Sequence, residues 1–121
     1  VVMLKKIRTY CDQKNIELTV SIPLHYIEEY TLEIFRISDR VYFMAYENIK
    51  IDYIARKIAP YLKDYKSKVV IALRTNDFTN RIALEEHIQL LKNASTVSSF
   101  VIHDMESLIK LDKKTLLNEE Y

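Results

Sequence analysis

Glycine is absent from this sequence of 121 residues, although average usage would place about eight glycines in a chain of that length. Phosphate-binding loops of the P-loop and Rossmann kinds need glycine, because a residue without a side chain lets the backbone approach the phosphate closely. The absence of glycine therefore excludes both of these nucleotide-binding fingerprints. Tryptophan is absent as well.

Cysteine, net charge and long apolar runs are also scarce. The single cysteine, Cys11, allows no disulfide within this sequence, and its place on an apolar helical stripe indicates a buried thiol. The net charge of +1 gives no reason to expect nucleic acid or an anionic membrane as a partner. No apolar run reaches the length of a membrane span or a signal peptide. The remaining composition, 49% hydrophobic and 29% charged, is typical of a globular domain.

Four short apolar segments predict β-strands, at residues 18–23, 41–46, 69–73 and 99–103. Three of them are almost continuously apolar, as strands buried on both faces are, and the first is closer to alternating. Apolar residues before, between and after these segments recur every three or four positions, which predicts amphipathic helices. Pro60 is expected to kink or shorten the third helix, and Asp77 or Thr79 is expected to cap the fourth.

The repeated order of strand and helix predicts an α/β fold with a parallel sheet. The spacing of the strands is close to that of a (β/α)₈ TIM barrel, which needs about 250 residues. We therefore predict four parallel βα units that form half of such a barrel, with residues 1–121 as a single domain and the C-terminal part of a larger one. The alternative is a flavodoxin-like three-layer sandwich, which would be complete at this length.

A four-stranded parallel sheet leaves two edge strands without partners, and such edges tend to associate. We therefore expect a homodimer or association with a missing N-terminal half of the barrel. The sequence begins VVMLKK without an initiator methionine, which also suggests a piece of a longer protein.

Polar side chains follow each of the four predicted strands, at the carboxyl ends where parallel folds bind their ligands. Arg74 comes directly after a buried strand and needs an acidic partner, for which Glu47 or Asp104 is expected. Simpler roles remain open, because Asp104 can cap a helix, Glu47 can be favoured by a helix dipole and His25 can be solvated. The polar residues are His25, Tyr26, Tyr46, Glu47, Asn48, Arg74, Thr75, Asn76, Asp77, His103, Asp104 and Glu106.

The run Met44-Ala45-Tyr46-Glu47 resembles the M-x-Y-D signature at the end of strand six in the family 18 glycoside hydrolases, the chitinase-like TIM barrels. The runs LTVSIP, VVIALRT and FVIHDME would then correspond to strands five, seven and eight. The resemblance implies that Tyr46 supports the acetamido group of the substrate during substrate-assisted hydrolysis. Glu47 stands where the family has aspartate. The strand-four motif D-x-x-D-x-D-x-E, which holds the proton donor, and the strand-eight tryptophan do not occur here.

These observations predict the C-terminal half of a divergent, glycoside hydrolase-like barrel that acts on or binds carbohydrate when complete, and that is inactive as a fragment. The expected catalytic residues are Tyr46 and Glu47, without a cofactor or a bound metal. The expected substrate-binding residues are His25, Tyr26, Arg74, His103 and Asp104. The alternative is a non-enzymatic α/β interaction module of flavodoxin-like shape.

Overall fold

The computed structural model describes residues 2–103, in which helices and strands alternate. Three short 3₁₀ turns, at Ala59–Tyr61, Lys66–Lys68 and Thr75–Asp77, lie between the main elements. The helices and strands in chain order are α1 (Val2–Lys14), β1 (Thr19–Pro23), α2 (Glu28–Ile37), β2 (Arg40–Met44), α3 (Ile51–Ile58), α4 (Leu62–Tyr65), β3 (Val69–Arg74), α5 (Arg81–Ser95) and β4 (Phe100–His103).

The four strands form one parallel sheet in the order β1-β2-β3-β4. The predicted α/β class, with four parallel βα units, is thereby confirmed. Such units occur both in a half-barrel and in the flavodoxin-like alternative. The strand order is sequential, whereas the flavodoxin-like order is 2-1-3-4-5.

The helices that connect the strands pack on one face of the sheet. Val41 of β2 pairs with Val69 of β3, and alternate residues from each strand enter the same core. Side chains from α2, α3 and α5 complete that core. Its buried members are Ile22, Leu24, Ile34, Phe35, Val41, Phe43, Ala45, Ile54, Ile58, Tyr61, Val69, Ile71, Leu73, Leu84, Leu91 and Val97.

The opposite face, here named the open face, carries the alternate residues Tyr42, Met44, Val70, Ala72 and Val101. None of the three connecting helices packs on it. Val70 and Ala72 of β3 are nevertheless buried. In a complete barrel this face would be the interior.

Aromatic rings fill the space between α2 and the sheet. The Phe35 ring lies 5.1 Å from the Tyr61 ring and 5.8 Å from the Phe43 ring, measured between centroids. Pro60 has the predicted effect, since α3 ends at Ile58 and the chain continues through the 3₁₀ turn Ala59–Tyr61. That turn carries Tyr61 into the core, where it is almost fully buried.

The helix caps differ from the prediction. Asn80, rather than Asp77 or Thr79, caps α5, and its side-chain oxygen accepts the backbone N–H of Ala83 at 2.9 Å. At the other end of α5, Thr96 adopts a left-handed φ of 63°. That position usually belongs to glycine, which the chain lacks.

One carboxylate connects α1 to the amino ends of the first two strands. Asp39 accepts the backbone N–H of Leu18 at 2.7 Å and a hydrogen bond from the Arg8 guanidinium at 2.8 Å. Both hydrogen bonds lower the pKa of Asp39, and the one from Leu18 has the larger effect.

The lowered pKa of Asp39 predicts a sensitivity to acid. The Asp39 contribution to stability is present above the ordinary value of 3.8 and is lost as the pH falls through the lower folded-state value. Asp39→Asn should therefore lose less stability than the wild type on acidification below about pH 4. Urea unfolding between pH 5 and pH 2.5 measures this; parallel curves for the two proteins would contradict it.

Phe35 should be the most sensitive single position in the core. Its side chain has no exposed surface and contacts three other rings, so Phe35→Ala should lower the free energy of unfolding by about 3–5 kcal/mol. Urea unfolding monitored by circular dichroism measures the change. Tyr10→Ala, on the exposed side of α1, is the control and should change the free energy by less than about 0.5 kcal/mol.

Candidate functional site

Three of the predicted site residues meet at the carboxyl edge of the open face. Arg74 and His103 are register partners at the ends of β3 and β4. Tyr46 follows β2, and the alternation through Tyr42 and Met44 directs it to the same face. The N–H of Ala45 still donates to the Ala72 carbonyl at 2.9 Å, so the pairing with β3 extends almost to Tyr46.

The three side chains contact one another through the Tyr46 ring. The Arg74 guanidinium carbon lies 5.3 Å from the centre of that ring, within the range of a cation–π interaction. The His103 ring meets it edge-on, with centroids 5.9 Å apart and an angle of 86° between the ring planes. Tyr46 therefore contacts a cation on β3 and an imidazole on β4.

Asp77 connects Arg74 to the loop after β2. One carboxylate oxygen accepts a hydrogen bond from Arg74 Nη2 at 2.8 Å, and the other accepts the backbone N–H of Glu47 at 3.1 Å. The Asp77 side chain is only 11% exposed. The expected ion pair between Arg74 and Glu47 does not form, because Asp77 lies three residues after Arg74 across a tight 3₁₀ turn. The other expected partner, Asp104, lies outside the described residues.

The backbone at Glu47 is in an unusual conformation. Its φ is 65°, and the N–H of Asn48 donates back to the Tyr46 carbonyl at 2.7 Å, which closes a three-residue turn. A left-handed conformation costs a residue other than glycine about 1–2 kcal/mol. The hydrogen bond from the Glu47 N–H to Asp77 helps to hold the turn, and it leaves the Glu47 side chain exposed beside Tyr46.

The ionisation of the site follows from these contacts. Burial raises the pKa of the Tyr46 phenol, and the positive charge of Arg74 opposes this effect in part. The hydrogen bond to Asp77 raises the pKa of Arg74. At neutral pH the site therefore presents a neutral hydroxyl beside a permanent cation.

A cleft of about 320 Å³ lies beside this cluster, at the carboxyl ends of β1 and β2. His25, Tyr46 and Glu47 line it, so the structure brings these three predicted residues together. Tyr53, in the first turns of α3, also lines the cleft and was not predicted. In the sequence, the one feature that could have indicated Tyr53 is its aromatic ring shortly after the loop between β2 and α3.

Tyr26 does not belong to this cleft. It precedes α2, is 43% exposed and packs on the Tyr30 ring, with the two centroids 6.4 Å apart. Of the predicted substrate-binding residues that the structure describes, three lie near Tyr46, namely His25, Arg74 and His103, and Tyr26 lies apart from them.

Two other features are absent from residues 2–103, a metal-binding cluster and a membrane-spanning helix. Within that range, no group of three or more His, Cys, Asp or Glu side chains is placed to hold a metal ion. No helix in the same range is long and apolar enough to cross a bilayer.

Comparison of the chain with protein-family models, curated proteins and solved structures found no match. The chemistry of the site is therefore interpreted from its geometry alone. A neutral phenol, a guanidinium and an imidazole, with an open cleft beside them, can donate hydrogen bonds to a neutral polar ligand. The carboxylates of Asp77 and Glu47 make the same edge unfavourable for a strongly anionic ligand.

Asp77 should hold the site together. Asp77→Ala removes both the ion pair with Arg74 and the acceptor for the Glu47 N–H, and it should lower the free energy of unfolding by about 1–3 kcal/mol. Asp77→Asn keeps a side-chain oxygen as acceptor and should lose less. Urea unfolding measures both changes.

Glu85→Ala is the control for Asp77→Ala, because Glu85 forms an exposed ion pair with Arg81 on α5. It should change the free energy of unfolding by less than about 0.5 kcal/mol. Equal losses in Asp77→Ala and Glu85→Ala would show that Asp77 is an ordinary surface carboxylate.

Proposed function

We propose that this chain is half of a glycoside hydrolase-like barrel domain and binds carbohydrate at the carboxyl edge of its open face. One observation carries the proposal: Tyr46, Arg74 and His103, from three successive βα units, meet at that edge on the face that would become a barrel interior. Barrel enzymes bind their substrates at this edge.

The chemistry of the three side chains suits a neutral sugar. The Tyr46 hydroxyl can donate to a carbonyl such as that of an N-acetyl group, in agreement with the role that the chitinase-like resemblance implies. Arg74 keeps further N–H donors beyond the one that bonds to Asp77. Tyr46 and Tyr53, both at the cleft, supply aromatic surface against which a sugar ring can pack.

Hydrolysis requires more than this edge provides. Glycoside cleavage needs an acid together with a nucleophile or base, and the substrate itself can supply the second group. We assign to Tyr46 the support of the substrate's acetamido group. Glu47, whose exposed side chain lies beside Tyr46, would make a further polar contact with the substrate. The proton donor would come from the other half of the barrel, so this chain alone binds without turnover.

The open sheet supports association with a second half. β1 and β4 each have one edge without a partner strand among the described residues, and four further parallel strands would close a barrel of eight. Apolar side chains are also exposed on α1, which packs against α2. Met3 is 74% exposed, Tyr10 56% and Ile7 40%, and their spacing places them on one side of the helix.

The same exposed stripe on α1 favours a second candidate function, a non-enzymatic interaction module. In that case Met3, Ile7 and Tyr10 would contact a partner protein, and Tyr46 would be a structural residue. Sugar binding at the Tyr46 edge separates the two functions.

Carbohydrate binding should depend on the Tyr46 hydroxyl. Titration with the trimer of N-acetylglucosamine, followed by amide NMR shifts, should move signals at Tyr46, Glu47 and Arg74. Tyr46→Phe should weaken binding about three- to tenfold, the value of one hydrogen bond, and should change the Tm by less than about 2 °C.

Tyr10→Phe is the matched control, because it removes a phenolic hydroxyl from an exposed position on α1. It should leave sugar binding unchanged. If Tyr46→Phe instead lowers the Tm and leaves sugar binding intact, Tyr46 is a structural residue and the interaction module becomes the better interpretation.

A further inference from the structure

His87 on α5 is a buried imidazole without a hydrogen-bond partner for one of its nitrogens. The residue is 8% exposed, and within residues 2–103 its Nε2 atom is shielded from solvent and contacts no donor or acceptor. Its ring packs on the Phe78 ring, with centroids 5.0 Å apart and an angle of 59° between the planes. A neutral imidazole tolerates this apolar contact, whereas an imidazolium would lose hydration there.

The charged side chains near α5 either contact other groups or are exposed to solvent. Burial alone lowers the pKa of His87, without a contribution from any charged group. On α3, which packs against α5, Arg56 and Lys57 lie over the Tyr53 ring. The charged residues on the elements that pack around His87 are Asp52, Arg56 and Lys57 on α3, Asp77 in the preceding loop, and Arg81, Glu85, Glu86 and Lys92 on α5 itself.

Phe78 connects this imidazole to the candidate site. It directly follows Asp77, and its N–H donates to the Thr75 carbonyl at 3.1 Å, closing the turn that holds Asp77 beside Arg74. Residues 75–80, named here the β3–α5 loop, therefore have Asp77 on one side and the packed Phe78 ring on the other. Displacement of Phe78 would act on the Asp77 contacts with Arg74 and Glu47.

We propose that the His87–Phe78 contact is a pH-sensitive device that opens the β3–α5 loop when His87 takes up a proton. The imidazolium needs water or an acceptor, and the apolar Phe78 ring is the group that must move to admit it. The proposal is independent of the ligand that the site binds, because it concerns only the loop that positions Asp77.

The direction of the pH effect follows from linkage. Above the ordinary value of 6.5 the imidazole is neutral in both the closed and the open loop, so pH has no effect. Below 6.5 the open form binds a proton that the closed form rejects, and the closed form loses stability as the pH falls. The loss ends below the lowered pKa of the closed form. The open population should rise between pH 7.5 and pH 5.5 by up to about tenfold, the limit set by protonation of the open form alone.

Two NMR measurements on the wild-type protein test the proposal. The first follows the ring C–H signal of His87 against pH, and we expect a midpoint below 6.5. The second follows amide hydrogen exchange of the β3–α5 loop, corrected for the intrinsic pH dependence of exchange, and we expect loop opening to increase over the same pH range. A His87 midpoint at or above 6.5, or an unchanged loop, would overturn the proposal.

His87→Gln provides the second arm, because glutamine is polar and does not titrate. Loop opening in this variant should not depend on pH between 7.5 and 5.5. His25→Gln, which removes an exposed imidazole from another loop, should retain the wild-type acid response. Equal acid responses in His87→Gln and the wild type would refute the role of His87. The wild-type measurements decide the question alone if His87→Gln does not fold.

Discussion

Every strand-to-strand connection in this sheet runs to the next strand in sequence order, and a right-handed crossover then places each connecting helix on the same face. The remainder of the structure depends on that constraint. It gathers the apolar core on one side around Phe35 and Ile71, and it leaves the open face without helices. It also brings the ends of β2, β3 and β4 together, so that residues distant in sequence share one edge.

Much of the fold could be predicted from the sequence, because each strand is a short apolar run between helical stripes. The ends of the strands were predicted less closely, since β2 ends at Met44 although the apolar run continues through Tyr46. The meeting of Tyr46, Arg74 and His103 was predictable for a related reason: parallel strands place their carboxyl ends together.

The partners of the site residues could not be predicted in the same way. Arg74 pairs with Asp77 because a single 3₁₀ turn brings that carboxylate back, and an apolar pattern does not specify such a turn. Asn80 caps α5 for a similar reason, since three polar residues in a row could each begin the helix. The separation of Tyr26 from the cleft could not be predicted, because a position in the loop after β1 does not specify the direction of the ring.

The sequential strand order also determines how stability is distributed along the chain. Each strand pairs with the next one, as in a repeat protein, so structure can grow from the centre outward and be lost from the ends inward. β3 is buried along almost its whole length, whereas β1 and β4 each have two exposed residues. We therefore expect β3 to be the most stable strand and the edge strands β1 and β4 to open more easily. The candidate site includes both kinds of strand, because Arg74 lies on β3 and His103 lies on β4.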